Sequence, residues 1–451
     1  GRCPPAVRFP QLAPPRGAAF APIDIANTPM RLCLARLWAL IGVAVAWKCG
    51  NESAAKDDFC DGSAEGVEGC TPYARPLPAG ADWAAVRRDL IGALFGAGSG
   101  GVLPSRSQPD DVSDEHHVQV FGSCVCATQG HCSPEACSAP TRVTKLVWTI
   151  EVPVNASYTV VLNSTGFLSL NTSGVAARSG PAWGPAEWPE EPLQPRGLGD
   201  TLVIFHNGHE VPRNATSCNT DSDGTIDWLN RLGFDTLLLM MPLTQCNNPA
   251  RAPEGHWWFK QFEAQGAAVM RFFLEPVVLA VNYATGTLGY RRVVMAGLSG
   301  GGWTTTLAAA VDPRISLSFP VAGSMPCDFK HTSWDYEQLC DRPWALVANY
   351  TSLYVLAALE AHRASVQVIH EADPCCFHGC HRHARIRAYN AWVQSQVSGR
   401  FATAVTSGNV HEVNERDRVI IASLVERFRA GDLSAADFSA IPFNLVRPTR
   451  P

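Results

Sequence analysis

An α/β architecture, a doubly wound and mostly parallel sheet, is what the second half of this chain predicts, on three observations. From about residue 198 onward, short β-branched runs alternate with helix-length amphipathic segments, and parallel strands need crossovers of that length. One of the runs, Arg292 to Ala296, leads straight into a glycine-rich turn and then a helix-forming segment. The composition is globular, with 46% hydrophobic and 17% charged residues over 451 positions, enough to bury a large core without a metal. A net charge of -5 leaves no basic footprint, so nucleic acid is not an expected partner.

Taken in order, residues 1–29 are rich in Pro and Ala and read as a disordered or non-native leader, with Met30 as the natural start. Arg31, Arg36, the apolar run Leu37 to Trp47 and the small-x-small triplet Ala44-Val-Ala46 have the grammar of a secretory signal peptide over residues 30–46. Eleven apolar residues are too few to span a bilayer, which needs about 20, so no stable membrane span is expected after cleavage. All but Cys3 and Cys33 of the 16 cysteines lie downstream, as expected of an oxidising compartment. N-x-S/T sequons at Asn51, Asn155, Asn163, Asn171, Asn214 and Asn349 agree with export through a glycosylating route. The expected location is therefore secreted or in the lumen of the secretory pathway.

Residues 47–197 read as a Cys-rich accessory region. It begins loop-rich and disulfide-held with one helix, Trp83 to Phe95, and continues as a small β region over 115–175, where His117 to Val120 and Lys145 to Val161 alternate. Five prolines between Ser179 and Gly199 form a linker and set a boundary near residue 198. The strands expected beyond it are Thr201 to Phe205, Thr236 to Met241, Arg292 to Ala296, Ile315 to Val321, Ser365 to Ile369 and Phe401 to Val405. Helices fit at Thr225 to Arg231, Lys260 to Tyr283, Trp303 to Val311, Thr351 to His362, His383 to Gln396 and Arg416 to Arg429, and 431–451 is a tail.

The turn after Arg292 to Ala296 is Gly297-Leu-Ser299-Gly-Gly301, a G-x-S-x-G between a strand and a helix. Its glycines allow a turn too sharp for a Cβ, which exposes the serine, and the helix that follows aims its amide end at the site. A serine hydroxyl needs a base, and the base needs a third group to fix its tautomer. His370-Glu-Ala-Asp373-Pro leaves one late strand, and Ser407-Gly-Asn-Val-His411 leaves the next before the last helix. In these features residues 198–430 resemble the α/β-hydrolase superfamily, whose order is serine, acid, histidine. The resemblance implies Ser299 as nucleophile, Asp373 as acid, with Glu371 and then Asp341 as alternatives, and His411 as base. It implies Gly300 as one oxyanion donor. The second comes from the loop after Leu202-Val-Ile-Phe-His206-Asn-Gly208-His209, which is similar to the His-Gly loop of lipases and esterases with Asn207 intervening, so Gly208 and His209 both stand.

His206, Trp334, Tyr336 and Trp344 are candidates for lining a substrate pocket, with ordinary packing as the alternative, and His256 beside Trp257 and Trp258 is equally ambiguous. The cluster Cys375-Cys376-Phe-His378-Gly-Cys380-His381-Arg-His383 has ligand types that suit zinc, but in an exported chain disulfides pinning the Asp373 loop explain it more simply; no metal and no cofactor are expected. The resulting expectation is a secreted serine hydrolase acting on a small-molecule or polymer carboxylic ester. Its rivals are a prolyl-oligopeptidase-like peptidase with an N-terminal β region, an inactive hydrolase fold used for binding, and a secreted metal-binding or storage protein.

Overall fold

β-branched runs need partners for their backbone groups, and here they find them in one nine-stranded sheet among the described residues, in the order β1-β2-β3-β5-β4-β6-β7-β8-β9. The computed structural model describes residues 77, 80–115, 141–171, 200–209, 224–247, 255–327, 335–377, 383–431, 433–439 and 441. The strands are β1 Asp111–Glu115, β2 Thr141–Asn155, β3 Tyr158–Asn171, β4 Thr201–His206, β5 Asp235–Leu239, β6 Arg292–Leu298, β7 Ile315–Val321, β8 Ala364–His370 and β9 Arg400–Thr406. From β5 to β9 all neighbours are parallel, whereas β1, β2 and β3 pair antiparallel with one another and β3 with β5. Every residue of β4, β5 and β8 is buried, as expected of parallel strands covered on both faces.

The covering helices are α1 Trp83–Phe95, α2 Thr225–Arg231, α3 Lys260–Glu263, α4 Arg271–Gly286, α5 Gly300–Val311, α6 Pro343–Val347, α7 Tyr350–Ala357, α8 His383–Gln396, α9 Glu415–Ala430 and α10 Ala435–Ser439. Two depart from expectation. The single helix expected over Lys260 to Tyr283 breaks into α3 and α4, with Gly266 at φ 89° in the break, where an L side chain is strained. The helix expected to run to His362 stops at Ala357. Among the described residues, no helix is long and apolar enough to cross a membrane.

The larger correction concerns the accessory region. The β2–β3 hairpin does not form a separate small unit, because β3 pairs with β5 from Gly166↔Leu239 to Ser169↔Thr236. Alternate residues of β2, namely Leu146, Trp148, Ile150 and Val152, are buried in the common core. Helix α1, capped by Asp82 accepting from the Ala85 amide, joins the same core through Leu90, Ile91, Leu94 and Phe95. Its Arg87 reaches across to Glu360 at 2.6 Å and to the carbonyls of Ala310 and Leu356. Trp47–Pro451 forms one compact unit, so the boundary expected near residue 198 does not divide it. A period-2 pattern reports one solvated face, and that is equally true of an independent hairpin and of the outer strands of a large sheet. The segment His117 to Val120, the proline stretch and cysteines 49–137 lie outside the described residues.

Arg363, a residue the sequence reading passed over, is buried beside the start of β8. It donates to the carbonyls of Leu356 (2.8 Å), Ile315 (3.1 Å) and Ala309, and to Glu360 at 3.0 Å. Arg363→Met keeps the apolar stem but strips these buried acceptors of their donor, so unfolding free energy is expected to fall by about 3 kcal/mol. Urea denaturation reads this directly; a loss below about 1 kcal/mol would mean that water or neighbours replace the guanidinium.

Candidate active site

The central strand β6 passes into α5 through Ser299, which sits at φ 56°, ψ -120°. A non-glycine residue with positive φ is held there only by its surroundings, and the surroundings here are glycines. A Cβ on Gly297 would lie 2.4 Å from the Gly301 carbonyl oxygen, and one on Gly301 only 1.9 Å from that of His206. The elbow is fixed from behind by the Ser299 amide donating to Val321 O at 2.9 Å and the Trp303 amide to Ser299 O at 2.9 Å. The serine itself is partly exposed.

Asp373 and His411 leave the ends of the adjacent strands β8 and β9, and the two loops are stitched together by Glu371 N to Thr406 O (2.8 Å) and Ala372 N to Gly408 O (3.0 Å). The buried Asp373 accepts from the amides of Cys375 (2.7 Å) and Cys376 (3.4 Å) on Oδ1, and from His411 Nδ1 on Oδ2 at 2.9 Å. Burial alone would push this carboxyl up; the hydrogen bond and charge of His411, the Cys375 amide and His370 outweigh it and hold the group below the ordinary carboxylate range. An ionised Asp373 makes Nδ1 the donor nitrogen, which in the neutral ring leaves Nε2 as the acceptor. The acid that meets His411 is therefore Asp373 and not Glu371, while Asp341 lies 3.5 Å from Arg342. No hydrogen bond joins Ser299 Oγ to His411 in this structure; catalytic contacts are often long in the free state and tighten with substrate.

Cys375 and Cys376 are disulfide-bonded to each other, which removes both as thiolate ligands and stiffens the turn whose amides hold Asp373. His378, Cys380 and His381 lie outside the described residues. Cys327 pairs with Cys340, and Cys246 is also in a disulfide.

Behind His411 lies a second histidine–acid pair that the sequence reading did not single out. The fully buried His370 ring donates Nδ1 to Val410 O at 3.0 Å and Nε2 to Asp417 Oδ2 at 2.7 Å, so both nitrogens carry hydrogen. Asp417 also accepts from Thr406 Oγ1 and from the Asn414 amide, closing a capping box at the start of α9. The pair thus clamps the loop that carries His411. Burial disfavours the charged ring, but the hydrogen bond and charge of Asp417 prevail and raise His370 above 6.5. A raised folded-state value means that the stabilisation is complete below the unfolded value and is lost as pH rises through the folded one. Stability is therefore expected to decline as pH rises above about 6.5, and His370→Phe should flatten that decline. Urea midpoints at pH 6 and pH 9 for both proteins test this, and equal pH dependence in the two would refute it.

Gly208 and His209 pack against the elbow. A Cβ on Gly208 would lie 2.7 Å from Leu298 O and 2.8 Å from Ser299 Cβ, and one on Gly300 would lie 2.4 Å from His209 Cε1. Asn207 does not push the loop away, because its amide donates to Leu239 O and extends the sheet register. Gly300, Gly208 and His209 therefore surround Ser299. His206 is buried beneath the turn, donates Nδ1 to Asn207 O at 2.8 Å, and is lowered to about 4 by burial, which keeps it neutral. Tyr336 and Trp344 are likewise packed inside. Tyr336 donates to Glu263 beneath the Arg342 guanidinium, and Trp344 donates to Glu337 O and meets Trp303 edge-on. Trp334 lies outside the described residues.

The outer side of His209 meets Glu337 and His256, which come from distant segments of the chain. His209 Nε2 lies 2.8 Å from Glu337 Oε1 and 3.1 Å from His256 Nδ1, and His256 Nδ1 lies 2.9 Å from Glu337 Oε2. Glu337 is wholly buried; burial pushes its carboxyl up, but the pull of His256 and His209 is stronger and holds it far below the carboxylate range.

Among the sequons, Asn155 and Asn163 are exposed on the hairpin. Asn349 is buried and its side-chain oxygen caps α7, accepting from Thr351 and Ser352, so the expected glycan at Asn349 is withdrawn. The side chains of Asn51, Asn171 and Asn214 lie outside the described residues.

No protein-family model matches the chain, and a search of curated proteins finds no match. Among solved structures, the chain is similar to a methylesterase, BT1017 (15% identity, 80% of this chain and 67% of that one, TM-score 0.43). It is also similar to an acetyl xylan esterase from a Paenibacillus species (12% identity, 80% and 98%, TM-score 0.42). A third is acetyl xylan esterase 1 from a Thermoanaerobacterium species (10% identity, 80% and 95%, TM-score 0.41).

Proposed function

We propose that the chain is a serine hydrolase of the α/β-hydrolase type that cleaves a carboxylic ester through an acyl-enzyme. The observation that carries this is the conjunction of a strained, partly exposed Ser299 at a strand–helix elbow with a His411–Asp373 pair at 2.9 Å on the ends of β8 and β9, the same edge of the parallel sheet. In this reading Ser299 Oγ attacks the carbonyl carbon as His411 Nε2 takes its proton. The oxyanion is met by the Gly300 amide and a second amide from Gly208 or His209, and collapse expels the alcohol, protonated by His411. Water then repeats the sequence on the acyl-enzyme and frees the acid, while Asp373 stabilises the imidazolium in both halves. The prolyl-oligopeptidase-like alternative shares the order of serine, acid and histidine; the N-terminal β region that also suggested it is here a hairpin paired with β5 of the main sheet.

Export as a disulfide-bonded, glycosylated protein belongs to the same proposal and is supported by the Cys327–Cys340 and Cys375–Cys376 bridges. A fluorophosphonate probe, which reports an activated serine without knowledge of the substrate, should label the wild type and neither Ser299→Ala nor His411→Ala. A folded wild type that fails to label would favour a hydrolase fold used for binding.

A further inference from the structure

We propose that His209, His256 and Glu337 form a binding site for a divalent transition-metal ion of the zinc class. The three donor atoms come from separate parts of the chain, the loop after β4, the 3-10 turn Gly255–Phe259 and the 3-10 turn Tyr336–Gln338, and all lie within 4.8 Å of one another. Two imidazole nitrogens and a carboxylate oxygen are a zinc-type donor set that leaves a coordination position open.

Hydrogen-bond chemistry gives a second reason. His256 Nε2 lies 2.7 Å from the Pro242 carbonyl, which only accepts, so this nitrogen carries the ring hydrogen. That leaves His256 Nδ1 as the ring's metal-binding nitrogen, and it faces Glu337 Oε2 at 2.9 Å, a position that a second ring proton or a metal ion fills. The Pro242 carbonyl is also the kind of outer partner that orients a metal-bound histidine, and Gln338 Nε2 donates to Glu337 Oε1 at 3.3 Å in the same sense. Ligands about 2.0–2.1 Å from zinc in a tetrahedron are about 3.3 Å apart. His209 Nε2 is 3.1 Å from His256 Nδ1 and 2.8 Å from Glu337 Oε1, close to that spacing, while His256 Nδ1 meets the other carboxylate oxygen, Oε2, at 2.9 Å, so a shared ion needs the carboxylate to turn one oxygen toward both rings. Because the His209 ring lies directly over Gly300, an ion here would tie that ring, and the loop bearing it, to two other segments beside the elbow.

The proposal does not depend on Ser299 acting as a nucleophile, and its test does not read activity. The full-length protein, stripped with chelator, is titrated with Zn²⁺ alone and its metal content measured; the expected result is one tightly held equivalent and a raised melting temperature. X-ray absorption of that zinc should show two imidazoles and light oxygen donors. Glu337→Gln and His256→Gln should weaken the affinity by about 100-fold or more. A folded wild type that takes up no zinc would mean that an imidazolium proton fills the position, and would overturn the proposal. So would sulfur in the absorption spectrum, which would move the ion to the cysteines, or full binding retained by both folded variants.

Discussion

Ser299→Ala is expected to lower kcat/KM on an activated ester by about a million-fold while leaving the fold intact. The size follows from what is removed. The hydroxyl is the only atom of the proposed machinery that bonds to substrate, and without it only the amides of Gly300 and its neighbours remain to stabilise charge, a residue of about a thousandfold over water. Alanine keeps the Cβ that the positive φ of Ser299 already accommodates, so the elbow gains no new strain. Steady-state kinetics on protein free of wild-type contamination, with circular dichroism as a fold control, measures it. A loss of less than about a hundredfold would mean that another residue supplies the nucleophile.

Asp373→Asn should cost about ten-thousandfold in kcat, and for a reason particular to this loop. An asparagine has one acceptor oxygen and one donor nitrogen to fill two places. The amides of Cys375 and Cys376 demand the acceptor at the Oδ1 position, so the NH₂ group must take the Oδ2 position opposite His411. His411 Nδ1 then has to accept, its hydrogen moves to Nε2, and the ring can no longer take a proton from Ser299. Unlike Ser299→Ala and His411→Ala, this variant keeps both the nucleophile and the imidazole, so slow fluorophosphonate labelling should persist. Activity within tenfold of wild type would show that the ring is oriented by something other than Asp373.

The strands from β4 to β9 were legible because each is a short β-branched run bounded by turn residues, and expectation and structure agree to within two residues at their ends. Ser299, Asp373 and His411 were legible because each follows such a run, and strand ends fix where a loop residue goes. The hairpin's place in the sheet was not, since pairing between β3 and β5 links residues some seventy positions apart and leaves no periodic trace. Glu337 and Asp417 were invisible for a different reason. A buried carboxylate looks like any other charged residue until its partner is known, and the partners, His209 and His256 for one and His370 for the other, come from distant segments. Tyr336 and Trp344 show the converse, for aromatic residues in a long connection suit a pocket wall and a packed interior equally well.

The sheet order also bears on how the chain is assembled during synthesis. The hairpin β2–β3 emerges early, yet its inner partner in the finished sheet, β5, is made only after the intervening segment and β4. Until then β3 presents an open edge flanked by apolar side chains, the kind of surface through which partly made chains stick to one another. Once β4 and β5 are available β6 adds beside β4, and β7, β8 and β9 then follow, each beside the last. The vulnerable interval in the life of this protein is thus an early one, and it closes before Ser299, Asp373 and His411 have been made.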